Sequence, residues 1–228
     1  MKCGIVVFPG SNCDHDCYHI LKHICQVDTQ WIWHKDEALN AFDFIVLPGG
    51  FSYGDYLRPG AIARFSPIMK SVIDYANRGG RVLGICNGFQ ILVESGLLPG
   101  VLMDNRDQRF ICKDLTIRVE NNQTPFTAKC GNGEVLRIPI NHGQGRYFTD
   151  AESLNRLEDN GQILFRYCDA EGELSDTANP NGSLDAIAGV CNEAGNVMGM
   201  MPHPERCADP LWTNVDGQAI FNSLIQSN

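Results

Sequence analysis

In the first half of the chain, short unbroken apolar runs alternate with stretches whose apolar positions recur every three to four residues. "CGIVVF" (Cys3–Phe8) is the first run, stopped by Pro9-Gly10, and predicts a buried strand. A helix follows from about Asn12 to Cys25, with Ile20, Leu21 and Ile24 at helical spacing. "TQWIWH" and "FIVLPGG" (Phe44–Gly50) predict the second and third strands. "SPIMKSVIDYANRGG" predicts a helix capped by Ser66, with Pro67 in its first turn and Gly79 at its end. "RVLGI" predicts the fourth strand, followed by a helix from Asn87 to about Ser95 that Gly96 closes. Strands alternating with helices in this way build a parallel sheet covered on both faces.

The second half changes rhythm. "ICKDLTIRVEN", "EVLRIPI" and "QILFRYCD" predict longer, half-exposed strands. "DAIAGVCNEAGNVMGMMP" predicts a hairpin turning near Glu193-Ala194-Gly195, and "DGQAIFNSLIQ" a closing helix. No linker, repeat or low-complexity tract divides the chain, so residues 1–228 read as one domain. The expected fold is α/β: an open, mostly parallel sheet flanked by helices, with an added antiparallel portion in the second half. In such sheets ligands bind beyond the carboxyl ends of the strands. Gly49-Gly50, Cys86 and Met201–Glu205 all follow such ends.

Composition narrows the function classes. Hydrophobic residues make up 43% and charged residues 20%, ordinary for a globular protein. No apolar stretch is long enough for a membrane span, and the first apolar run is too short for a signal peptide, so the expectation is a cytoplasmic protein with no membrane partner. The 10 cysteines are scattered and fall below the density of a disulfide scaffold, so most are expected as reduced thiols. A net charge of −9 without a Lys/Arg cluster argues against nucleic acid. No G-x-x-x-x-G-K-[ST] phosphate loop occurs either.

The candidate chemistry centres on Cys86. Gly84-x-Cys86-x-Gly88 has the form of a nucleophile elbow, a sharp strand-to-helix turn that lifts a side chain out of the sheet. There it faces unpaired N–H groups and the positive end of a helix. A free thiol, with a pKa of about 8.5, is only ~3% thiolate at pH 7; lowering that by about two units makes roughly three-quarters of it reactive. A cysteine in a βα turn is also an ordinary core residue, so its partners decide the matter. "MMPHPERC" supplies them: His203 as base and Glu205, two residues on, to orient it. In an extended segment those two side chains point the same way, and Pro202 and Pro204 are expected to keep it non-helical. Attack on an amide also needs an oxyanion hole. The N–H of Asn87 is one candidate donor, and a glycine at 49 or 50 is the second.

With these pieces assembled, the sequence resembles the class I (triad-type) glutamine amidotransferases. The match runs through "LPGGFSYGD", "GICNGFQ", "NHGQGR" and "PHPE", in that order. "VVFPGSNCD", "GGFSYGDYLRPGAIA" and "CNGFQIL" are similar to the purine-biosynthetic branch of that family. Asn87 and Phe89, where many relatives carry Leu and His, fit this branch.

The resemblance implies a flavodoxin-like three-layer fold and a glutaminase. Cys86 would form a γ-glutamyl thioester with L-glutamine. His203 would protonate the departing ammonia and then activate water, and Glu205 would orient it. Gln90 matches a glutamine-contacting position, Asn141, His142 and Gly143 match a loop that holds the amino-acid end, and Gly50 matches an oxyanion donor. Ammonia would pass to a larger synthetase subunit that aminates formylglycinamide ribonucleotide, and a small third subunit is expected beside it. ATP and Mg are expected on that partner, and no cofactor or metal on this chain. "FSYGDYLRPGAIARF" is expected to contribute to the interface.

Three other readings compete. "CDHDCYHILKHIC" holds Cys13, His15, Cys17, His19, His23 and Cys25, with histidines at i, i+4 and i+8, a spacing that can hold zinc. A peptidase- or deglycase-like cysteine hydrolase would keep the elbow and change the substrate. A glutaminase-like chain kept only as a scaffold would retain the fold without the reaction, although nucleophile, base and orienter are all in place.

Overall fold

The apolar runs of the first half pair side by side in parallel, as their alternation with helices requires. The computed structural model describes residues 1–39 and 41–226. In chain order the strands are β1 (Lys2–Val7), β2 (Asp28–Trp33), β3 (Phe44–Leu47), β4 (Arg81–Ile85), β5 (Val101–Asp104), β6 (Ile111–Val119), β7 (Val135–His142), β8 (Gln144–Phe148), β9 (Ile163–Cys168), β10 (Ile187–Cys191) and β11 (Val197–Met200). The α-helices are α1 (Asp14–Tyr18), which widens into a π-type turn over His19–Ile24, α2 (Pro67–Asn77), α3 (Asn87–Glu94), α4 (Ala151–Asp159) and α5 (Gln218–Gln226).

One mixed sheet runs in the order β2-β1-β3-β4-β11-β10-β9-β6-β7. The β2 to β11 side is parallel; from β11 onward each pairing is antiparallel. A separate two-stranded ribbon joins β5 to β8. A hydrophobic core spans the sheet from Cys3 to Leu224. Among the described residues no helix is long and apolar enough to cross a membrane. The described cysteines are free thiols.

β11 is the decisive placement. It comes late in the chain yet lies directly beside β4, with Met200 opposite Ile85. The carboxyl ends of β3, β4 and β11 therefore stand next to one another, and everything that follows them in sequence opens into one crevice.

Several expectations are corrected. Ser66 precedes α2 but makes no cap; its hydroxyl pairs with the Tyr53 hydroxyl at 2.8 Å, and Pro67 alone begins the helix. β9 is buried along nearly its whole length rather than half-exposed, because both of its faces are covered and only Arg166 is partly open to solvent. Asn141 and His142 end β7 instead of lying in a loop, with Gly143 turning into β8. The ribbon β5–β8 and helix α4, whose Asp150 accepts from the Ser153 amide, add elements that the apolar pattern does not predict. The hairpin does turn at Gly195, which takes a left-handed φ of 71°.

Candidate active site

Cys86 sits between β4 and α3 with φ 50° and ψ −105°, a conformation that L-residues rarely adopt. Its amide donates to Met200 O at 2.7 Å, extending the β4–β11 ladder by one bond beyond the strand. Tight packing fixes the turn: a Cβ on Gly88 would collide with the Leu47 carbonyl of β3, and one on Gly84 would meet Leu92 of α3 at 2.5 Å. The two glycines thus let helix and strand touch backbone to backbone, which forces the sharp turn at the cysteine. Cys86 is 5% exposed, and its sulfur lies 3.9 Å from Asn141 O.

His203 follows β11 and is 1% exposed. Its amide donates to Pro139 O at 2.8 Å, and its Nδ1 meets Glu205 Oε1 at 2.6 Å. The expected pairing is present, but its geometry differs from the extended segment that the prolines suggest. Pro204–Cys207 forms a single 3-10 turn, with Pro204 as its first residue, where the missing N–H costs nothing. Burial alone would push the His203 pKa down. The Glu205 carboxylate outweighs it, helped by the Cys86 and Cys13 thiols, and the ring keeps its proton well above the usual histidine range. His203 Nε2 and Glu205 Oε2 have no hydrogen-bond partner among the described residues. Gly49 makes room for the ring, since a Cβ there would stand 2.7 Å from its Cε1.

A cavity of about 440 Å³ opens above Cys86. Gly50, Gln90, Asn141, His142 and Gly143 line it together with Cys86, so the structure brings these expected residues to one place. His203, Glu205 and Asn87 are buried and stand outside that lining. The Asn87 side chain accepts from Ser52 N at 3.0 Å and donates to Gln90 Oε1 at 2.9 Å and Asp55 Oδ1 at 3.2 Å. Gln90 Nε2 in turn donates to Gln144 O at 2.5 Å. Gly50 has φ +138° and bridges to Ser11, and the neighbouring Phe51 amide donates to Gly10 O.

His142 is a buried neutral ring. Burial, reinforced by His203, pushes its pKa down to about 3, and its Nδ1 pairs with Asn105 Oδ1 at 3.0 Å. Asn105 is a hub that sequence reasoning missed: its side-chain amide also donates to His142 O and Arg109 O, each at 2.8 Å. The same polar segment brings Asp104, Gln108, Arg109 and Phe110 to the cavity. Its one visible signal in the sequence is Phe110, an exposed aromatic at the end of a charged run.

The helical zinc set does not assemble. His15 packs on Trp31, His19 pairs with Asp209 at 2.7 Å, and His23 lies against Tyr18. Cys13 turns inward instead, where it accepts from Arg206 at 3.1 Å and groups with His203 and Glu205.

Comparison with known proteins decides the family. The family model of the CobB/CobQ-like glutamine amidotransferase domain matches residues 1–223. The chain belongs to this family. A similar amidotransferase chain is "Phosphoribosylformylglycinamidine synthase subunit PurQ" of Salinibacter ruber, 56% identical across 97% of this chain and 94% of that protein. The protein of the same name from Synechocystis is 60% identical across 96% of this chain and 98% of its own length. Among solved structures, a chain of PurLQS from Thermotoga maritima superposes with a TM-score of 0.87 at 45% identity, covering 98% of this chain and 97% of that one. The amidotransferase fold also superposes on another glutamine amidotransferase of Thermotoga maritima with a TM-score of 0.57 at 14% identity, covering 91% of this chain and 77% of that one, a likeness of fold alone.

Proposed function

We propose that this chain is the glutaminase subunit of phosphoribosylformylglycinamidine synthase. It hydrolyses L-glutamine and delivers ammonia to a synthetase subunit, which makes formylglycinamidine ribonucleotide from formylglycinamide ribonucleotide with ATP in purine biosynthesis. The observation that carries the chemistry is the buried His203–Glu205 pair standing at the strand end beside the Cys86 elbow.

Cys86 Sγ attacks the side-chain amide carbon of glutamine as a thiolate, its proton already held by His203 in an ion pair. The carbonyl oxygen becomes an oxyanion that the amides of Gly50 and Asn87 receive. The intermediate collapses by breaking the C–N bond; His203 gives its proton to the nitrogen, ammonia leaves, and a γ-glutamyl thioester remains. Water, deprotonated by His203, then attacks the thioester and releases glutamate with the thiol restored. Glu205 holds the imidazole in place through Nδ1. Gln90 and the Asn141–Gly143 strand end line the space for the amino acid.

The relatives' description as synthase subunits and the PurLQS assembly of the Thermotoga relative support a larger synthetase partner and a small third subunit. ATP and Mg belong to that partner, since this sequence has no phosphate loop. The exposed Phe51, Tyr56, Leu57 and Phe65 fit its docking surface. Free thiols at the described cysteines fit a cytoplasmic location.

The test is covalent labelling with a glutamine-mimicking diazoketone, located by peptide mass spectrometry, with and without the synthetase. A single adduct on Cys86, blocked by excess glutamine, is expected. No adduct in either condition would overturn the reading.

A further inference from the structure

The loop between Phe51 and Arg58 is unusual. Tyr53 (φ 55°), Asp55 (φ 54°) and Leu57 (φ 69°) are all non-glycine residues in left-handed conformations, with Gly54 between them. For Tyr and Leu such backbone is a genuine outlier, and strained residues of this kind gather at ligand clamps. Here the distortion delivers one carboxyl group, that of Asp55, to the wall of the cavity that holds Cys86 and Gln90.

Asp55 is half-buried, and among the described residues no lysine, arginine or histidine pairs with it. Its hydrogen bond comes from Asn87 Nδ2, the residue directly after the nucleophile. Burial raises its carboxyl to about 6 against the pull of that amide, the condition of an anion without a cation. The other acid of the cavity, Asp104, is exposed and already accepts from Gln144 Nε2 at 2.7 Å. In glutamine a short aliphatic chain separates the amide carbon from the α-nitrogen. A carboxylate tied to the residue next to Cys86 is therefore well placed for the ammonium end of a molecule whose other end sits on the sulfur.

We propose that Asp55 binds the α-ammonium group of glutamine and so makes the site selective for an α-amino acid amide. The proposal rests on the glutaminase reading above and adds the determinant of substrate class. Asn87 is its positioning residue, coupling the strained loop to the helix that starts at the nucleophile.

The test compares two substrates and one variant in the assembled synthetase complex. The substrates are glutamine and 4-carbamoylbutanoate, which is glutamine without its α-amino group; the readout is ammonia release. In Asp55→Asn the side-chain oxygen still accepts from Asn87, so the clamp survives and only the charge is lost. Glutamine kcat/KM is expected to fall roughly 10- to 100-fold, mainly through KM, the range for a hydrogen bond to a charged group. Turnover of 4-carbamoylbutanoate should change less than about threefold, a shift below what one lost hydrogen bond would give. An equal loss on both substrates would overturn the proposal in favour of a purely structural clamp, and unchanged glutamine kinetics would overturn it outright. Wild-type complex that released no ammonia from glutamine, with Cys86 unlabelled, would instead sink the glutaminase reading and take this proposal with it.

Discussion

The backbone at Cys86 offers a measurement of what the elbow costs. With φ 50° and ψ −105° the residue lies outside even the small left-handed basin, so its strain belongs near the upper end, about 3 kcal/mol, of the range for such residues. Cys86→Ala removes the sulfur but keeps the Cβ that causes the strain. Cys86→Gly removes both. Glycine gives back about 1 kcal/mol in unfolded-chain entropy, and loss of one buried methyl group costs about 0.8 kcal/mol more. The glycine variant should therefore be about 1 kcal/mol more stable than the alanine variant. For 228 residues the unfolding entropy is about 0.5 kcal/mol/K, so the two melting temperatures should differ by about 2 °C. Scanning calorimetry of the two variants side by side reads this directly, and since neither can turn over glutamine, catalysis does not enter. A glycine variant equal to or less stable than the alanine one would refute the claim that the nucleophile is held under strain.

Cys86→Ser should abolish glutamine hydrolysis with the fold and partner binding retained; wild-type-like ammonia release would remove the assigned nucleophile. His203→Ala should cost at least about 10²-fold in the assembled complex, the lower end for an acid–base group, and a loss under threefold would take His203 out of the mechanism. Gly88→Ala should destabilise by at least about 2 kcal/mol because its Cβ collides with a β-strand carbonyl, whereas Gly96→Ala, with open space around it and φ +74°, should cost about 1 kcal/mol; equal melting temperatures would contradict the packing argument. His142, held neutral with its pKa at about 3, binds fewer protons folded than unfolded between about 3 and 6.5, so its stability contribution is complete above 6.5 and is lost as pH falls. Urea unfolding at about pH 7.5 and 5.5 should show wild type losing on the order of 1 kcal/mol more than His142→Gln; parallel losses would mean the ring is not buried as a neutral group.

The parts of this protein that are legible in the sequence are those coded by neighbours in the chain. Gly84, Cys86 and Gly88 specify a turn within a few positions, and His203 and Glu205 find each other across one proline. Apolar runs such as Phe44–Leu47 announce buried strands because every residue in them must be covered on both faces. Asp55 and Asn105 are invisible for the opposite reason. Each sits in polar, irregular chain, and its role comes from a partner far away in sequence: Asn87 for the first, His142 for the second. Strand β5 is apolar but only four residues long and exposed, and helix α4 is mostly polar, so neither stands out from loop. The swap of strand for loop at Asn141 and His142 has the same origin, since β6 decides by pairing what local sequence leaves open.

This division tracks the chemistry. Bond breaking needs a nucleophile and a base at fixed separation, and the sheet supplies it by setting β11 against β4. A one-residue slip between those strands would move His203 along the strand axis by about 3.3 Å relative to Cys86, more than the whole length of a hydrogen bond. Register is therefore as much a catalytic feature as the residues it aligns, and the extra bond from the Cys86 amide to Met200 O pins it at the point where it matters. The rim of the cavity comes instead from irregular chain, the Phe51–Arg58 loop and the 104–110 segment, where no strand register fixes the side chains.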